Sequence, residues 1–105
     1  MLIQKDKFVE ILKSIVKLKE LDYELYKITK KIDPMKNGMS FFTAEDQMIE
    51  MLKLLAEDTE DWISYWIYDC DMGNGKNSDS VRTQDDKTPI PLRTPEDVYE
   101  CIIKY

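Results

Sequence analysis

From Lys5 to Ile32 the sequence contains no glycine and no proline, and Phe8, Ile11, Leu12, Ile15, Leu18, Leu21, Leu25, Ile28 and Ile32 recur at steps of three and four. That spacing is the apolar stripe of an amphipathic helix. At 1.5 Å per residue the helix reaches roughly 40 Å, long for so short a chain. Asp33-Pro34 and Asn37-Gly38 mark its end. Read as heptads, Phe8, Ile11, Ile15, Leu18, Leu25 and Ile32 take the a and d positions, with Asp22 and Thr29 as polar residues at a. Polar residues there set register or partner choice in a coiled coil. The stripe therefore serves either an ordinary core helix or helix-mediated self-association.

Three shorter helices follow. Thr43 is the expected cap of the second, with Asp46 three residues on, and Met48, Met51, Leu52 and Leu55 as its inward face. Phe41 and Phe42 precede that cap as a hydrophobic staple. Asp58-Thr59-Glu60-Asp61 reads as a break and a fresh helix start. The third helix carries Trp62, Ile63, Tyr65, Trp66, Ile67, Tyr68 and Cys70, apolar or aromatic nearly all round. From Met72 to Lys87 the chain is polar, a loop or small β-hairpin in which Val81-Arg82-Thr83 and Pro89-Ile90-Pro91-Leu92 form short extended pieces. Thr94-Pro95-Glu96-Asp97 supplies a cap, a proline in the first turn and acids behind it for the last helix, whose inward stripe is Val98, Cys101 and Ile102.

The expected fold class is therefore mainly α, a long N-terminal helix plus three shorter ones with a polar loop or small hairpin between the last two. With 105 residues, one domain is expected. Within it, 1–33 is the long helix, 41–71 an acidic and aromatic helical pair, 72–93 the loop or hairpin, and 94–105 the final helix.

Charge narrows the partners. The net charge is −6. Residues 1–32 hold eight Lys against five acids, whereas 44–71 holds nine acids and one Lys. Such a surface disfavours nucleic acid and anionic membranes, which are bound through Lys and Arg. It suits a protein with a basic face. No apolar run is long enough to span a bilayer and the N-terminus lacks a signal-peptide core, so a cytoplasmic location is expected.

Chemical motifs are weak. There is no histidine, and Cys70 and Cys101 stand in no metal-ligand or redox spacing, so they read as free thiols. Asp69-Cys70-Asp71-Met72-Gly73-Asn74-Gly75 fails the calcium-loop pattern in both registers, whether started at Asp69 or at Asp71. Gly73-Asn74-Gly75-Lys76 lacks the spacing and the hydroxyl of a phosphate loop. The carboxylate pairs Asp69/Asp71 and Asp85/Asp86 match solvated turns as well as general bases. No catalytic residue, metal or cofactor is expected.

What remains is the aromatic cluster. Trp62, Tyr65, Trp66 and Tyr68 span more than one helix face, and Trp and Tyr are enriched in binding hot spots. Flanked by acids, they give a candidate partner-binding set of Asp58, Glu60, Asp61, Trp62, Tyr65, Trp66, Tyr68, Asp69 and Asp71, part of which must also be core.

The segments Asp61-Trp62-Ile63-Ser64-Tyr65-Trp66-Ile67-Tyr68-Asp69-Cys70-Asp71-Met72-Gly73 and Pro89-Ile90-Pro91-Leu92-Arg93-Thr94-Pro95-Glu96-Asp97-Val98-Tyr99 resemble small proteins encoded in phages and prophages of low-GC Gram-positive bacteria. Met72 departs from that pattern, and the N-terminal helix lies outside it. The resemblance implies a non-enzymatic accessory protein that binds a host or phage protein, such as an acidic inhibitor of host defence or of a nucleic-acid-processing machine. Two alternatives stay open: a self-assembling protein forming a homodimer through helix 5–32, and a small-molecule binder using loop 69–79.

Overall fold

The computed structural model describes residues 2–32, 42–79, 81–82 and 89–104. The protein is mainly α-helical. Helix α1 spans Lys5–Ile32, α2 Phe42–Ala56 and α4 Pro95–Lys104; between them α3, Trp62–Ser64, runs directly into a π-helical stretch, Tyr65–Asp69. Two 3-10 turns follow, Asp71–Gly73 and Lys76–Ser78. Strands β1 (Val81–Arg82) and β2 (Pro89–Ile90) pair antiparallel, Val81 facing Ile90 and Arg82 facing Pro89. Residues 83–88, where a turn would complete a hairpin, lie outside the described residues.

α1 packs against both α2 and α4. Phe8, Leu12 and Ile15, spaced four and three, are fully buried. They meet Ile49, Leu52 and Ala56 of α2, Ile63, Trp66, Ile67 and Cys70 beyond it, and Leu92, Val98, Tyr99 and Cys101 around α4 in one apolar cluster. The heptad assignment fails over this half. Leu12 is core although it sits off the seam, while Ile11 and Leu18 are half-buried. The helix buries a stripe against two neighbours of its own chain, which needs positions a strict a/d seam omits. The side chains of Thr29 and Ile32 lie outside the described part.

α2 differs from its expected orientation. It begins at Phe42, so Thr43 lies inside it rather than capping it, and Phe41 is outside the described residues. Ile49, Leu52 and Ala56 face inward with Met48 beside them, whereas Met51 is 61% exposed and Leu55 41%. The reason is Glu45. It is fully buried in line with Ile49, Leu52 and Ala56, its Oε2 2.9 Å from Lys19 Nζ of α1. A carboxylate belongs on that face only because a lysine from another helix meets it. Without it the stripe is drawn around the helix by part of a turn.

α2 ends in a Schellman motif. Glu57 is left-handed (φ 54°), its N–H donates to Leu54 O at 3.3 Å, and the Asp58 N–H donates to Lys53 O at 2.9 Å. α4 begins as its sequence dictates. The Asp97 N–H donates to Thr94 Oγ1 at 3.3 Å, and Asp97 Oδ2 accepts the N–H groups of Thr94 and Arg93 at 3.1 and 3.0 Å. This is the reciprocal capping box with an aspartate in place of glutamate. Val98 and Cys101 are buried and Ile102 half-buried, as the stripe requires. Tyr99 closes the fold. Its ring centroid is 5.1 Å from that of Phe8, and its hydroxyl donates to Ile3 O at 2.8 Å.

Candidate functional site

Asp58 builds the start of α3. Its carboxylate accepts the N–H groups of Trp62 at 3.0 Å and Ile63 at 2.9 Å, donors that a helix start otherwise leaves unmatched. Asp58 is buried by this task, so it supports the site from below rather than facing solvent. Asp61, left-handed at φ 58°, turns the chain into α3.

The π-turn sorts the aromatics. Ile63, Trp66, Ile67 and Cys70, spaced as one helical face, are buried. The wide turn closes with the Cys70 N–H donating to Tyr65 O at 3.0 Å. π-turns of this kind concentrate at functional sites because they re-aim the side chains around them. Of the sequence candidates, Trp66 is core and its indole N–H finds no acceptor among the described residues. Trp62 and Tyr65 are half-buried, their rings 6.5 Å apart and edge to face. Tyr68 is 55% exposed.

An open groove of about 360 Å³ lies on the outer side, lined by Lys53, Glu60, Asp61, Ser64, Tyr65, Tyr68 and Asp69. Five of the nine candidate residues meet there: Glu60, Asp61, Tyr65, Tyr68 and Asp69. Asp71 is exposed beyond its rim. Sequence reasoning missed Ser64 and Lys53. The Lys53 ammonium lies 2.9 Å from Asp61 Oδ1 and 3.4 Å from Glu50 Oε1. The hydrogen bond to Asp61 raises its pKa against the lowering effect of burial. Tyr68 is steadied by Lys19, whose ammonium lies 5.0 Å from the ring centroid and donates to the hydroxyl at 3.3 Å. Burial lowers the Lys19 pKa, but Glu45 and Tyr68 outweigh it and the net direction is up.

The loop below the groove is a hydrogen-bonded scaffold. Cys70 O accepts the N–H groups of Gly73 and Gly75 at 2.9 and 3.0 Å, and the Asn74 N–H donates to Asp71 O at 3.0 Å. The three amides that a phosphate would need at Gly73-Asn74-Gly75 are thus already used within the chain. Ser78, buried, donates its hydroxyl to Gly75 O at 2.5 Å, and the Leu92 N–H donates to Ser78 O at 3.1 Å. Arg93 pairs with Asp79 across the same junction. No group of three or more metal-ligating side chains occurs among the described residues. Asp85 and Asp86 lie outside them.

Both cysteines are free and buried. Burial, with Asp97 and Glu100 adding to it, pushes the Cys101 thiol up to about 11. Burial and then Asp69 raise Cys70, against a smaller lowering by Tyr65. Burial likewise raises Tyr65, helped by Cys70 and Asp69. Thiols held protonated at neutral pH are poor nucleophiles. No helix among the described residues is long and apolar enough to cross a membrane. No family model matches the chain, and neither a curated protein nor a solved structure matches it.

Proposed function

We propose that this chain works by binding a protein with a basic surface through the groove beside the π-turn, as a non-enzymatic phage or prophage accessory protein. The observation that carries the reading is the gathering of Glu60, Asp61 and Asp69 around Tyr65 and the half-exposed ring of Tyr68 in one open groove. Carboxylates beside an accessible tyrosine suit Lys or Arg, which pair with the acids and stack on the ring. Glu57 and Asp71, close by in sequence, are exposed acids as well.

A basic patch is the electrostatic footprint of a surface that holds nucleic acid. An acidic face that occupies it competes with phosphate, which is how an inhibitor of a host defence or nucleic-acid-processing machine would act. Direct nucleic-acid binding and membrane association run against the net charge of −6. The cytoplasm of the host cell is the matching location.

The test is affinity capture from a host lysate with the wild-type protein beside Glu60→Lys/Asp69→Lys. Both positions are exposed, so the variant keeps its fold. The expected result is a partner held by the wild type at low salt, weakened by added salt and lost on charge reversal. Capture of the same proteins by both forms, or of none across several hosts, sinks the proposal.

A further inference from the structure

Helix α2 has two apolar faces, and the core uses one of them. At about 100° per residue, Glu45, Ile49, Leu52 and Ala56 share the buried face. Met51, Leu54 and Leu55 lie together about 140° round the helix, with Ala44 and Gln47 in line before them. Met51 is 61% exposed, Leu54 80% and Leu55 41%, and Ala44 and Gln47 are exposed as well. The charged residues of α2, Glu45, Asp46, Glu50 and Lys53, all fall outside that arc. A single exposed leucine needs no explanation, but three large apolar side chains within little more than a turn, with no charge among them, form a patch. One edge of the patch leads into the groove. Asp46 and Glu50 line that edge, and the Lys53 ammonium joins Glu50 Oε1, at 3.4 Å, to Asp61 Oδ1, at 2.9 Å. Asp61 lines the groove, so patch and groove are neighbours across one lysine.

We propose that this patch docks an α-helix of the partner protein, apolar towards α2 and basic towards the groove. The partner's charge rests on the proposed function of the groove; the apolar anchors rest on the patch alone. From Ala44 to Leu55 the patch follows one helix for about 16 Å, three turns, a ridge on which a second helix packs through anchors at three- and four-residue steps. Charge selects the occupant. Lysines or arginines on one flank of the incoming helix meet Glu50 and, beyond Lys53, Glu60 and Asp61. A second copy of the chain suits the patch less. A two-fold pair of antiparallel α2 helices sets the edge with Asp46 and Glu50 against the same edge of the other copy, and each chain carries −6.

The probe is a synthetic helical peptide of about four turns, with leucines at three- and four-residue steps and lysines along one flank. Its controls are a scrambled peptide of the same composition and one with glutamates in place of the lysines. Binding is read by fluorescence anisotropy, and its place by methyl resonances. The wild type should bind the first peptide alone, with shifts at Met51, Leu54 and Leu55. Met51→Gln/Leu54→Gln, at two exposed positions, should keep its helical circular dichroism and bind about tenfold more weakly. Glu60→Lys/Asp69→Lys should weaken binding several-fold and leave the methyl shifts in place at saturation. No binding, equal binding of the scrambled peptide, or equal binding by the glutamine variant overturns the proposal; loss on charge reversal alone leaves the function of the groove standing. Charge reversal without effect, beside loss in the glutamine variant, overturns the basic flank and the function of the groove with it. A wild type that doubles its mass in sedimentation velocity, where the glutamine variant keeps the mass of one chain, makes a second copy the occupant and overturns the proposal.

Discussion

The molecule is built in two ways, and the contrast lies between the α1–α2–α4 body and the segment 57–79. The body is held by apolar side chains at helical spacing. Phe8, Leu12, Ile15, Leu52 and Val98 are fully buried, and their periodicity is their structure. The segment 57–79 adds Ile63, Trp66, Ile67 and Cys70 to the same core, but the path of its chain is set by its backbone. Four of its non-glycine residues, Glu57, Asp61, Asp71 and Met72, are left-handed, one turn is π-helical, and Cys70 O gathers two amides. Left-handed backbone at non-glycine positions costs of order 1–3 kcal/mol each and persists where its surroundings enforce it. The groove sits on the second kind of structure. Side-chain packing stabilises a helix face but leaves its surface regular; a strained, hydrogen-bonded turn sets side chains where a regular helix does not.

Truncation separates the two regions most sharply. Phe8→Ala removes a fully buried ring that packs on Tyr99, and should cost about 4 kcal/mol in denaturant unfolding. In the backbone-built segment the equivalent damage comes from adding one methyl. A Cβ at Gly73, where φ is +90°, would lie 2.1 Å from Arg93 O. Gly73→Ala should therefore cost about 3 kcal/mol. Gly75→Ala is the control. Its φ is −85° and its nearest contacts are 3.3 Å, so it should cost under about 1 kcal/mol. Equal losses from the two glycines would erase the distinction drawn between the regions.

The two cysteines extend the contrast to pH. Cys101 stays protonated in the folded chain up to about 11, against 9.0 for the free thiol. Between those values the unfolded state has lost its proton and the folded state has not, so stability falls as pH rises through that window and is unaffected below it. Two units at about 1.4 kcal/mol each give a loss on the order of 3 kcal/mol by pH 11. Cys101→Ala should abolish that part of the alkaline decline in unfolding curves measured from pH 8 to 11. An unchanged decline would place its origin elsewhere.

The same contrast decides what could be read in the sequence. The extent of α1 was legible from its stripe, and α4 from Thr94, Pro95 and Asp97, because both signals are local. The inward face of α2 was not. Glu45 reads as a solvated acid until Lys19, from another helix, is seen to meet it. The left-handed residues carry no glycine to announce them, and the π-turn has no residue signature. Residues 72–78 read as part of a polar loop or hairpin, yet Ser78 is buried and its carbonyl holds the Leu92 amide. Of the candidate site, Glu60, Asp61, Tyr65, Tyr68 and Asp69 were visible as acids among aromatics. Which aromatic turns inward depended on the turn that the sequence does not mark.

Asp58 tests how far the groove depends on its support. Asp58→Ala removes two charge-assisted bonds and leaves the Ile63 amide buried without an acceptor. It should cost about 2 kcal/mol. Hydrogen exchange should rise at the amides of 62–70 and remain unchanged in α1. A uniform rise across the chain would mean that the segment unfolds only with the body, and that the two regions are one cooperative unit.

Lys53 carries the smallest effect on stability and the most informative one on function. Its pairs with Asp61 and Glu50 involve carboxylates that are each 70% exposed, and such pairs contribute little. With its pKa raised, their contribution is present at neutral pH and is lost only as pH rises past the usual lysine value. Lys53→Gln should therefore change stability by less than about 0.5 kcal/mol near pH 7. Among the described residues that line the groove it is the one cation, and it covers Asp61. Its removal frees that carboxylate and leaves the groove uniformly acidic. A partner with a basic surface should then bind several-fold more tightly at low salt, and the gain should vanish as salt screens it. Weaker binding would mean that the Lys53–Asp61 pair is part of the surface the partner reads, and that the groove is not selected for its negative charge.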